Sequence, residues 1–252
     1  MADLDPLAGR SVVVTGAGTG IGRAVARRAL AAGAFVTVVG RREHLLREIA
    51  EDRPDAVEAV AVDVTAPEAA DRVVAAAVAR FGGVDGLVNN AAAARCGTLA
   101  DHDPSELEAL LALNTVAPVR LIRAALPHLR ARRGSVVNVS SVAGVLAMPG
   151  RSYYGAGKAA LNSLTRSLAR ELAPDVRVNA VLPGPVDTPL WDTLGLTAEG
   201  TRQLRVDLVA ATPMGRVGAA EEVARWVCGL LDPGFAGWVT GALIPVDGGR
   251  TA

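Results

Sequence analysis

Short, continuously apolar segments rich in β-branched residues recur along this chain, with room for one helix between each pair. Seven such segments lie at 11–15, 35–39, 60–64, 87–90, 136–140, 176–181 and 243–246. A strand that is buried on both faces has this appearance, because it has no solvent-facing side that would require alternating polar residues. The segments therefore predict strands at the centre of a layered fold.

Helical patterns lie between these segments, at 22–32, 67–81, 105–129, 154–172 and 220–231. Strict alternation of strands and helices favours an α/β fold with a doubly wound parallel sheet. No linker, repeat or low-complexity stretch divides the 252 residues, so we predict one domain. The longest irregular segment is 183–218, and we expect its part from about 187 to 218 to form a lid over the substrate site.

Composition excludes several classes of function. A formal net charge of zero and 3% aromatic residues argue against a nucleic-acid partner. Cys96 and Cys228 are too few for a disulfide framework, and no Cys or His pair has metal-ligand spacing. The N-terminal sequence lacks the pattern of a secretory signal, and no uninterrupted apolar run approaches the roughly 18 residues of a membrane span. We therefore expect a cytoplasmic protein with no metal site and no membrane partner.

A glycine-rich turn joins the first predicted strand to the first helix. Residues 15–22 read TGAGTGIG. Glycines let backbone N–H groups approach a pyrophosphate, and the helix N-terminus adds a partial positive charge. We expect a dinucleotide to contact Gly16, Ala17, Gly18, Thr19, Gly20 and Ile21.

The end of the second predicted strand indicates which dinucleotide binds. An acidic residue at this position binds the ribose 2′-hydroxyl, whereas arginine accommodates a 2′-phosphate. Here Arg41 and Arg42 follow Gly40 and no acid is present, which favours NADP(H) over NAD(H). Asp63, at the end of the third predicted strand, could accept a hydrogen bond from the adenine amino group, or it could cap the following turn.

Lys158 is the only lysine in the chain, since arginine supplies the other 25 of its 26 basic residues. It lies four residues after Tyr154, so both side chains share one face of the predicted helix. A cation beside a phenol favours the phenolate, which would make Tyr154 a general acid or base near neutral pH.

Asn114 lies in the long predicted helix, four residues before Pro118. Proline has no N–H group, so it cannot bond the carbonyl oxygen of Asn114. We therefore expect the helix to kink at this point and to leave that oxygen free.

Taken together, these motifs resemble the classical short-chain dehydrogenase/reductase family, over nearly the whole chain. The resemblance rests on the glycine-rich turn and on further motifs along the chain: Asp63-Val64, Asn89-Asn90-Ala91, Asn114, Asn138-Val139-Ser140-Ser141, Tyr154-x-x-x-Lys158, Pro183-Gly184 with Thr188, and Val246-Asp247-Gly248-Gly249. It implies a Rossmann-type sheet of seven parallel strands, nicotinamide-dependent chemistry on a carbonyl or alcohol, and a homotetramer.

The resemblance also implies roles for four catalytic residues. Tyr154 would exchange a proton with the substrate oxygen, and Lys158 would lower the pKa of Tyr154 and bind the nicotinamide ribose. Ser141, 13 residues before Tyr154, would hydrogen-bond the same substrate oxygen. Asn114 would hold a water molecule that relays protons to Lys158.

Further cofactor contacts follow from the same resemblance. They would come from Val64, Asn90, Ala91, Pro183, Gly184, Val186 and Thr188, with the last two on the nicotinamide carboxamide. One position departs from the family pattern, because Ala92 stands where a glycine is usual. The contacts near Ala91 and Ala92 are the ones that this change affects.

The substrate is less constrained than the chemistry. The apolar residues of the predicted lid favour a small, largely apolar ketone or secondary alcohol of secondary metabolism. A 3-oxoacyl-(acyl-carrier-protein) reductase is the main specific alternative. A non-catalytic nucleotide-binding sensor or structural subunit is an alternative of another class.

Overall fold

Seven parallel strands form the centre of the molecule in the computed structural model, which describes residues 6–252. They are β1 (Ser11–Thr15), β2 (Phe35–Gly40), β3 (Val57–Ala61), β4 (Gly86–Asn89), β5 (Ser135–Val139), β6 (Arg177–Pro183) and β7 (Leu243–Val246). Their spatial order is β3-β2-β1-β4-β5-β6-β7. This order confirms the predicted single-domain, doubly wound α/β fold. The strand order reverses between β1 and β4, where such sheets bind ligands beyond the carboxyl ends of the strands.

Helices cover both faces of this sheet. They are α1 (Gly20–Ala31), α2 (Glu43–Asp52), α3 (Ala69–Phe81), α4 (Pro104–Leu111), α5 (Ala117–Ala131), α6 (Ser152–Leu172), α7 (Ala198–Ala210), α8 (Ala220–Leu231) and α9 (Pro233–Ala236). One buried apolar cluster joins α1, α2 and α8 to the sheet, and a second joins α3, α5 and α6 to its opposite face. These two layers hold the carboxyl ends of the strands in fixed positions.

The third strand begins and ends earlier than its apolar pattern predicts. It covers Val57–Ala61 rather than 60–64, because Val57 pairs with Val36 and Ala61 pairs with Gly40 on the neighbouring strand. Asp63 and Val64 therefore lie in the turn after the strand.

Three helices were missed by sequence reasoning, one of which is the four-residue α9. α2 follows Arg42 directly, and α7 lies inside the segment 183–218 that was expected to be irregular. The buried face of each is small: α2 buries Leu46 and Ile49, and α7 buries only Leu208. With one buried position, α7 has no clear apolar stripe along its sequence, whereas α2 does have a narrow one, which sequence reasoning overlooked.

The long helix predicted over 105–129 contains a π-helical turn at Ala112–Val116 between α4 and α5. The Ala117 N–H group donates to the Ala112 carbonyl, five residues back. Pro118 then lies in the first turn of α5, where a missing N–H group costs little. The prediction of an irregularity at this point is correct, and its form is a widened turn.

The same continuous helix, Pro104–Ala131, is long and apolar enough to cross a bilayer by those two criteria. It is the only such helix found in residues 6–252. Its residues Leu121, Ile122, Ala125 and Leu129 are buried in the cluster beneath the sheet. Their burial accounts for part of the apolar character of this helix.

Candidate active site

A cavity of about 960 Å³ lies at the carboxyl ends of the strands. Most of the predicted site residues line it: Gly16, Gly18, Thr19, Gly20, Ile21, Arg41, Arg42, Asp63, Val64, Asn90, Ala91, Ser141, Tyr154, Lys158, Pro183, Gly184, Val186 and Thr188. Two predicted residues do not line it. Ala17 is fully buried, with its N–H group bonded to the Val39 carbonyl, and Asn114 is buried behind the wall.

The glycine-rich turn has the backbone conformation that only glycine adopts easily. Gly16 has a φ of +66°, and a side chain on Gly22 would collide with the Gly16 carbonyl oxygen. The N-cap residue of α1, Thr19, makes no side-chain capping bond, and no acidic residue lies in the first turn. Backbone N–H groups at this helix N-terminus are thus available to an anion, and this arrangement fits a dinucleotide pyrophosphate.

Asn90 supports this turn from the neighbouring strand. Its side-chain Nδ2 donates to the Thr15 carbonyl at 2.8 Å, and the Thr15 hydroxyl accepts from the backbone of Asn90 and Ala91 at 3.0 Å each. The side chain that was predicted to contact the cofactor is therefore hydrogen-bonded to the protein backbone. Its contribution to the cavity is the shape of the turn.

Arg41 and Arg42 lie at the adenosine end of the cavity, and both are exposed. The Arg42 Nη2 donates to the Thr19 hydroxyl at 3.3 Å, which places this guanidinium beside the glycine-rich turn. Neither arginine forms an ion pair with any residue in 6–252. Both charges are thus free to meet a phosphate.

Asp63 caps the turn that follows it, which is the second of the two roles that its sequence position allowed. Its Oδ1 accepts from the Thr65 backbone at 2.9 Å and from the Thr65 hydroxyl at 2.7 Å. These bonds lower the pKa of Asp63, and the Arg41 charge adds to the effect. The carboxylate caps its turn while it faces the cavity.

Lys158 and Tyr154 lie together on α6, as their spacing predicts. The Lys158 side chain is only 2% exposed, and its Nζ donates to the Val139 carbonyl at 2.9 Å. The same Nζ lies 5.7 Å from the centre of the Tyr154 ring. Burial lowers the pKa of Lys158 to about 8.

The pKa of Tyr154 differs from the expectation that Lys158 would hold it low. Burial raises it above its usual value, while interactions with the Ser141 side chain and the Arg151 guanidinium oppose that shift. The physical reason is that the phenol is buried and the Lys158 ammonium bonds a backbone carbonyl. Tyr154 is therefore a protonated phenol at neutral pH in this structure.

The two serines after β5 have different surroundings. Ser141 lies beside Tyr154, and its Oγ accepts from the Ala143 backbone at 3.1 Å. Ser140 is buried, and its hydroxyl donates to the Lys158 backbone carbonyl at 3.3 Å. The serine that interacts with the phenol is thus the one that the spacing selected.

Asn114 projects from the π-helical turn towards the back of the cavity. Its Nδ2 donates to the carbonyls of Ala93 and Leu110, each at 3.0 Å. Its Oδ1 is buried and has no hydrogen-bond partner among residues 6–252. A buried acceptor of this kind is usually paired with an ordered water molecule.

The loop after β6 closes the nicotinamide end of the predicted site. Gly184 donates its N–H to the Val246 carbonyl on β7, and the Trp191 indole donates to the Val186 carbonyl at 2.7 Å. Thr188 packs against Gly20, which joins this loop to the glycine-rich turn. The two predicted halves of the cofactor site therefore meet.

Sequence reasoning missed three arginines that line the same cavity, Arg95, Arg151 and Arg250. Arg151 stands three residues before Tyr154, so its position one helical turn away could have indicated a place near the phenol. Arg250 lies beyond the last strand, and no sequence pattern pointed to it.

The chain is similar to known proteins over nearly its whole length. The model of a family described as enoyl-(acyl carrier protein) reductase matches residues 16–251. The 3-oxoacyl-(acyl-carrier-protein) reductase FabG of Thermotoga maritima is 35% identical over 249 residues, which cover 96% of this chain and 98% of the relative. A 2,3-dihydroxy-2,3-dihydro-p-cumate dehydrogenase of Pseudomonas putida is 36% identical over 98% of this chain and 96% of its own.

Solved structures are equally similar. A short-chain dehydrogenase/reductase of unknown function from Caenorhabditis elegans, solved with cofactor, superposes with a TM-score of 0.92 at 33% identity, covering 98% of this chain and 96% of that one. The chain belongs to the short-chain dehydrogenase/reductase family. A second short-chain dehydrogenase/reductase, from Brucella melitensis, has a TM-score of 0.90 at 32% identity and covers 98% of both chains. This short-chain dehydrogenase/reductase is thus an NAD(P)-binding oxidoreductase that acts on hydroxyl or carbonyl groups.

Proposed function

We propose that this protein transfers a hydride between NADP(H) and a ketone or secondary alcohol, with Tyr154 as the proton donor or acceptor. The observation that carries the proposal is the position of Tyr154, Ser141 and Lys158 in the cavity that contains the glycine-rich turn. The nicotinamide, when bound, supplies or accepts the hydride. The remaining steps belong to the side chains of this chain.

Ser141 orients the substrate oxygen by a hydrogen bond, and Tyr154 exchanges a proton with that oxygen. The Lys158 ammonium lies 5.7 Å from the centre of the phenol ring, and its charge stabilises the phenolate that forms during reduction. Asn114, through its unpaired buried oxygen, holds a water molecule that connects Lys158 to solvent. Burial keeps Tyr154 protonated at neutral pH, so the phenol can donate a proton to the substrate oxygen during reduction.

A preference for NADP(H) over NAD(H) rests on Arg41 and Arg42. Both guanidiniums lie at the adenosine end of the cavity, and no carboxylate is within ion-pair distance of them in residues 6–252. A 2′-phosphate supplies the anion that such a pair binds, through charge-assisted hydrogen bonds. A ribose 2′-hydroxyl would leave both charges without a partner.

A small, largely apolar substrate fits the wall opposite the nucleotide. Ala94, Ala143 and Leu194 form a buried apolar cluster with Tyr154, and Met148 and Trp191 pack against it. The segment 187–218 supplies Leu194 and Trp191, and we infer that it acts as a lid. Exclusion of water by such a segment strengthens the polar interactions inside the site.

A 3-oxoacyl-(acyl-carrier-protein) reductase is the second candidate, and the name of the Thermotoga maritima relative favours it. Turnover of a carrier-bound 3-oxoacyl thioester, compared with a free ketone of the same chain length, separates the two candidates. A cytoplasmic location and a homotetramer stay predictions. Sedimentation of the purified protein tests the tetramer.

Replacement of Tyr154 by Phe tests the proposed chemistry. We expect turnover of a ketone panel with NADPH to fall about 10²- to 10⁴-fold, because the proton donor is lost, while NADPH binding stays nearly unchanged. Tyr153→Phe is the matched control, since Tyr153 lies on the same helix, stacks on His102 and does not line the cavity. Equal turnover in Tyr154→Phe and wild type would overturn the role of Tyr154.

The same titrations measure nucleotide preference. We expect NADPH to bind about 10-fold or more tightly than NADH, and we expect the variant with Arg41→Ala and Arg42→Ala to lose that difference. A preference for NADH would contradict the argument from these arginines. Tight nucleotide binding without turnover of any ketone or alcohol would instead indicate a non-catalytic nucleotide sensor or structural subunit.

A further inference from the structure

Arg151 is a half-buried cation next to the proposed proton donor. It caps the start of α6, three residues before Tyr154, and its side chain lines the cavity. Its charge acts on Tyr154, since the Arg151 guanidinium lowers the pKa of that phenol. No hydrogen bond or ion pair joins the Arg151 guanidinium to any other described residue. A partly buried charge without a partner is unfavourable unless a ligand supplies one.

Arg250 brings a second positive charge to the same region. Its Nη1 donates to the Ala211 carbonyl at the C-terminus of α7, at 3.1 Å, and its Nε is buried with no partner among residues 6–252. Burial lowers the pKa of Arg151, and the Arg250 charge adds to that shift, while Cys96 and Tyr154 oppose it. The fold therefore places a second positive charge near Arg151, the arginine whose charge acts on Tyr154.

The acidic residues of the cavity do not neutralise this pair. The Glu106 carboxylate lies 3.7 Å from the Arg95 Nε and 3.3 Å from the His102 Nδ1. Asp63 caps its turn at the nucleotide end, and Asp192 is exposed and forms no ion pair with the described residues. Among the charged residues that line the cavity, five arginines and one lysine face three acids, a net formal charge of +3.

An apolar surface lies beside these cations. Leu194 and Ala94 are buried in a cluster that also includes Tyr154, and Met148, Leu190 and Trp191 pack against this cluster. A ligand that fills this space therefore meets apolar side chains along its body and positive charge at one end. Ser141 and Tyr154 lie between these surfaces and the nucleotide turn.

We propose that Arg151, with Arg250 beside it, binds a carboxylate of the substrate, so that the substrate is an oxo acid or a hydroxy acid with a short apolar body. This inference rests on the proposed function, because it assigns a substrate class to the same site. Arginine suits the task, since its planar fork matches the two oxygens of a carboxylate. The reacting carbonyl then lies within the reach of Tyr154 while the acid group is anchored on the neighbouring turn.

A second possible role for Arg151 is electrostatic only, in which it tunes the pKa of Tyr154 without contacting the substrate. That role would change the pH dependence of turnover, but it would not change the relative binding affinities of an acid and its neutral amide. A binding measurement that needs no turnover therefore separates the two roles.

The experiment measures calorimetric binding of short aliphatic carboxylates and their amides to the protein saturated with NADP⁺. Butyrate and hexanoate serve as probes, with butyramide and hexanamide as neutral matches. A charge-assisted hydrogen bond contributes more than a neutral one, so we expect the acids to bind about 10- to 100-fold more tightly. Arg151→Gln should abolish the difference, and Arg250→Gln should reduce it.

Arg95→Gln is the matched control, because Arg95 lines the same cavity but already faces Glu106. This variant should keep the preference for the acid. Equal binding of acid and amide to the wild-type protein, no carboxylate binding at millimolar concentration, or an unchanged preference in Arg151→Gln would each overturn the inference. Carboxylate binding in a protein that reduces no ketone would leave the anion site standing and refute the proposed catalytic function.

Discussion

Lys158 is the largest of the fully buried side chains in residues 6–252, and within that range its ammonium has one hydrogen-bond partner, the Val139 carbonyl. Burial disfavours the charged form of a lysine and so lowers its pKa. At a pH where the buried lysine is still charged, it therefore lowers the free energy of unfolding. Lys158 titrates near 8 in the folded chain, against an ordinary value of 10.5. The function proposed for this residue thus conflicts with the stability of the fold.

We expect Lys158→Met to raise the free energy of unfolding at pH 7 by about 3 kcal/mol, since each pKa unit corresponds to about 1.36 kcal/mol. Below pH 8 both states of the wild-type protein hold the proton, so the difference is constant there. Between pH 8 and 10.5 the unfolded chain still holds the proton that the folded protein has released, so wild-type stability rises with pH and the difference closes. Urea unfolding of both proteins across this range measures it.

Lys158→Arg is the companion variant. Its guanidinium cannot lose its proton, and its planar fork does not reproduce the contacts of an ammonium, so we expect lower stability than wild type and loss of most activity. A Lys158→Met protein that is less stable than wild type at pH 7 would contradict the assigned burial penalty. Near-normal turnover in Lys158→Arg would show that only the charge matters.

At this scale the sequence predicted which residues meet, because spacing along a helix and position after a strand fix where side chains go. Tyr154, Ser141 and Lys158 meet in the cavity as expected. The sequence could not predict the direction of the pKa shift of Tyr154, because that direction depends on burial by residues distant in the chain. The structural role of Asn90 was also hidden, since its partner Thr15 lies 75 residues away.

The π-helical turn between α4 and α5 is the element that positions the proposed relay. It directs Asn114 towards the Ala93 carbonyl, and the hydroxyl of Thr115 donates to the Gly157 carbonyl on α6 at 3.0 Å. Neighbouring residues of one turn thus serve two purposes. Asn114 faces the cavity wall, and Thr115 joins the turn to the catalytic helix.

We expect Asn114→Ala to lower kcat about 100-fold while the KM for NADPH stays close to that of wild type, because the proton path is lost and the nucleotide turn is intact. Thr115→Val is the control from the same turn. It should lower the free energy of unfolding by about 1 kcal/mol through the lost hydrogen bond, and most turnover should remain. Steady-state kinetics with thermal unfolding of both variants makes the comparison. If the two lose turnover equally, the turn acts only as a support.

Elements with a wide apolar face were predictable, and elements with a narrow one were not. The bounds of α8 and β7 agree with the expected 220–231 and 243–246 because each has a continuous apolar pattern. The helix α7 was not predicted because only Leu208 is buried along it. The bounds of the third strand differ from the predicted ones because they depend on its pairing with β2. A local sequence pattern does not contain that pairing.

The whole molecule depends on a few long-range polar ties besides its two apolar layers. Arg177, at the start of β6, donates to the Leu230 carbonyl at 2.8 Å and to the Ala236 carbonyl at 2.9 Å. These carbonyls belong to the ends of α8 and α9, so one guanidinium joins both helices to the sheet. A cation at a helix C-terminus is also favoured by the helix dipole.

We expect Arg177→Met to lower the free energy of unfolding by about 2–4 kcal/mol, because hydrogen bonds to a charged group are lost and buried carbonyls are left unpaired. Arg166→Met is the control, since Arg166 is exposed on α6 and takes part in no ion pair among residues 6–252. Urea unfolding at pH 7 measures both. A loss no larger than that of the control would show that the apolar layers alone hold α8 and α9.

At the scale of the whole chain, the alternation of strands and helices was sufficient to predict the sheet and its doubly wound order. Arg250 was not predictable, because it reaches the cavity only through the position of the chain after β7. Sites that form from single residues of distant segments have no local signature.

The burial of Lys158 also has a consequence for chemical modification. Because it is the only lysine, the chain has a single side-chain amine, and that amine lies inside the cavity wall. Acylating reagents that label most proteins at many surface lysines would find no exposed ε-amino group here. The rate at which Lys158 is acylated would therefore measure how often the cavity opens far enough to admit the reagent. Lys158 is thus an internal probe of cavity opening.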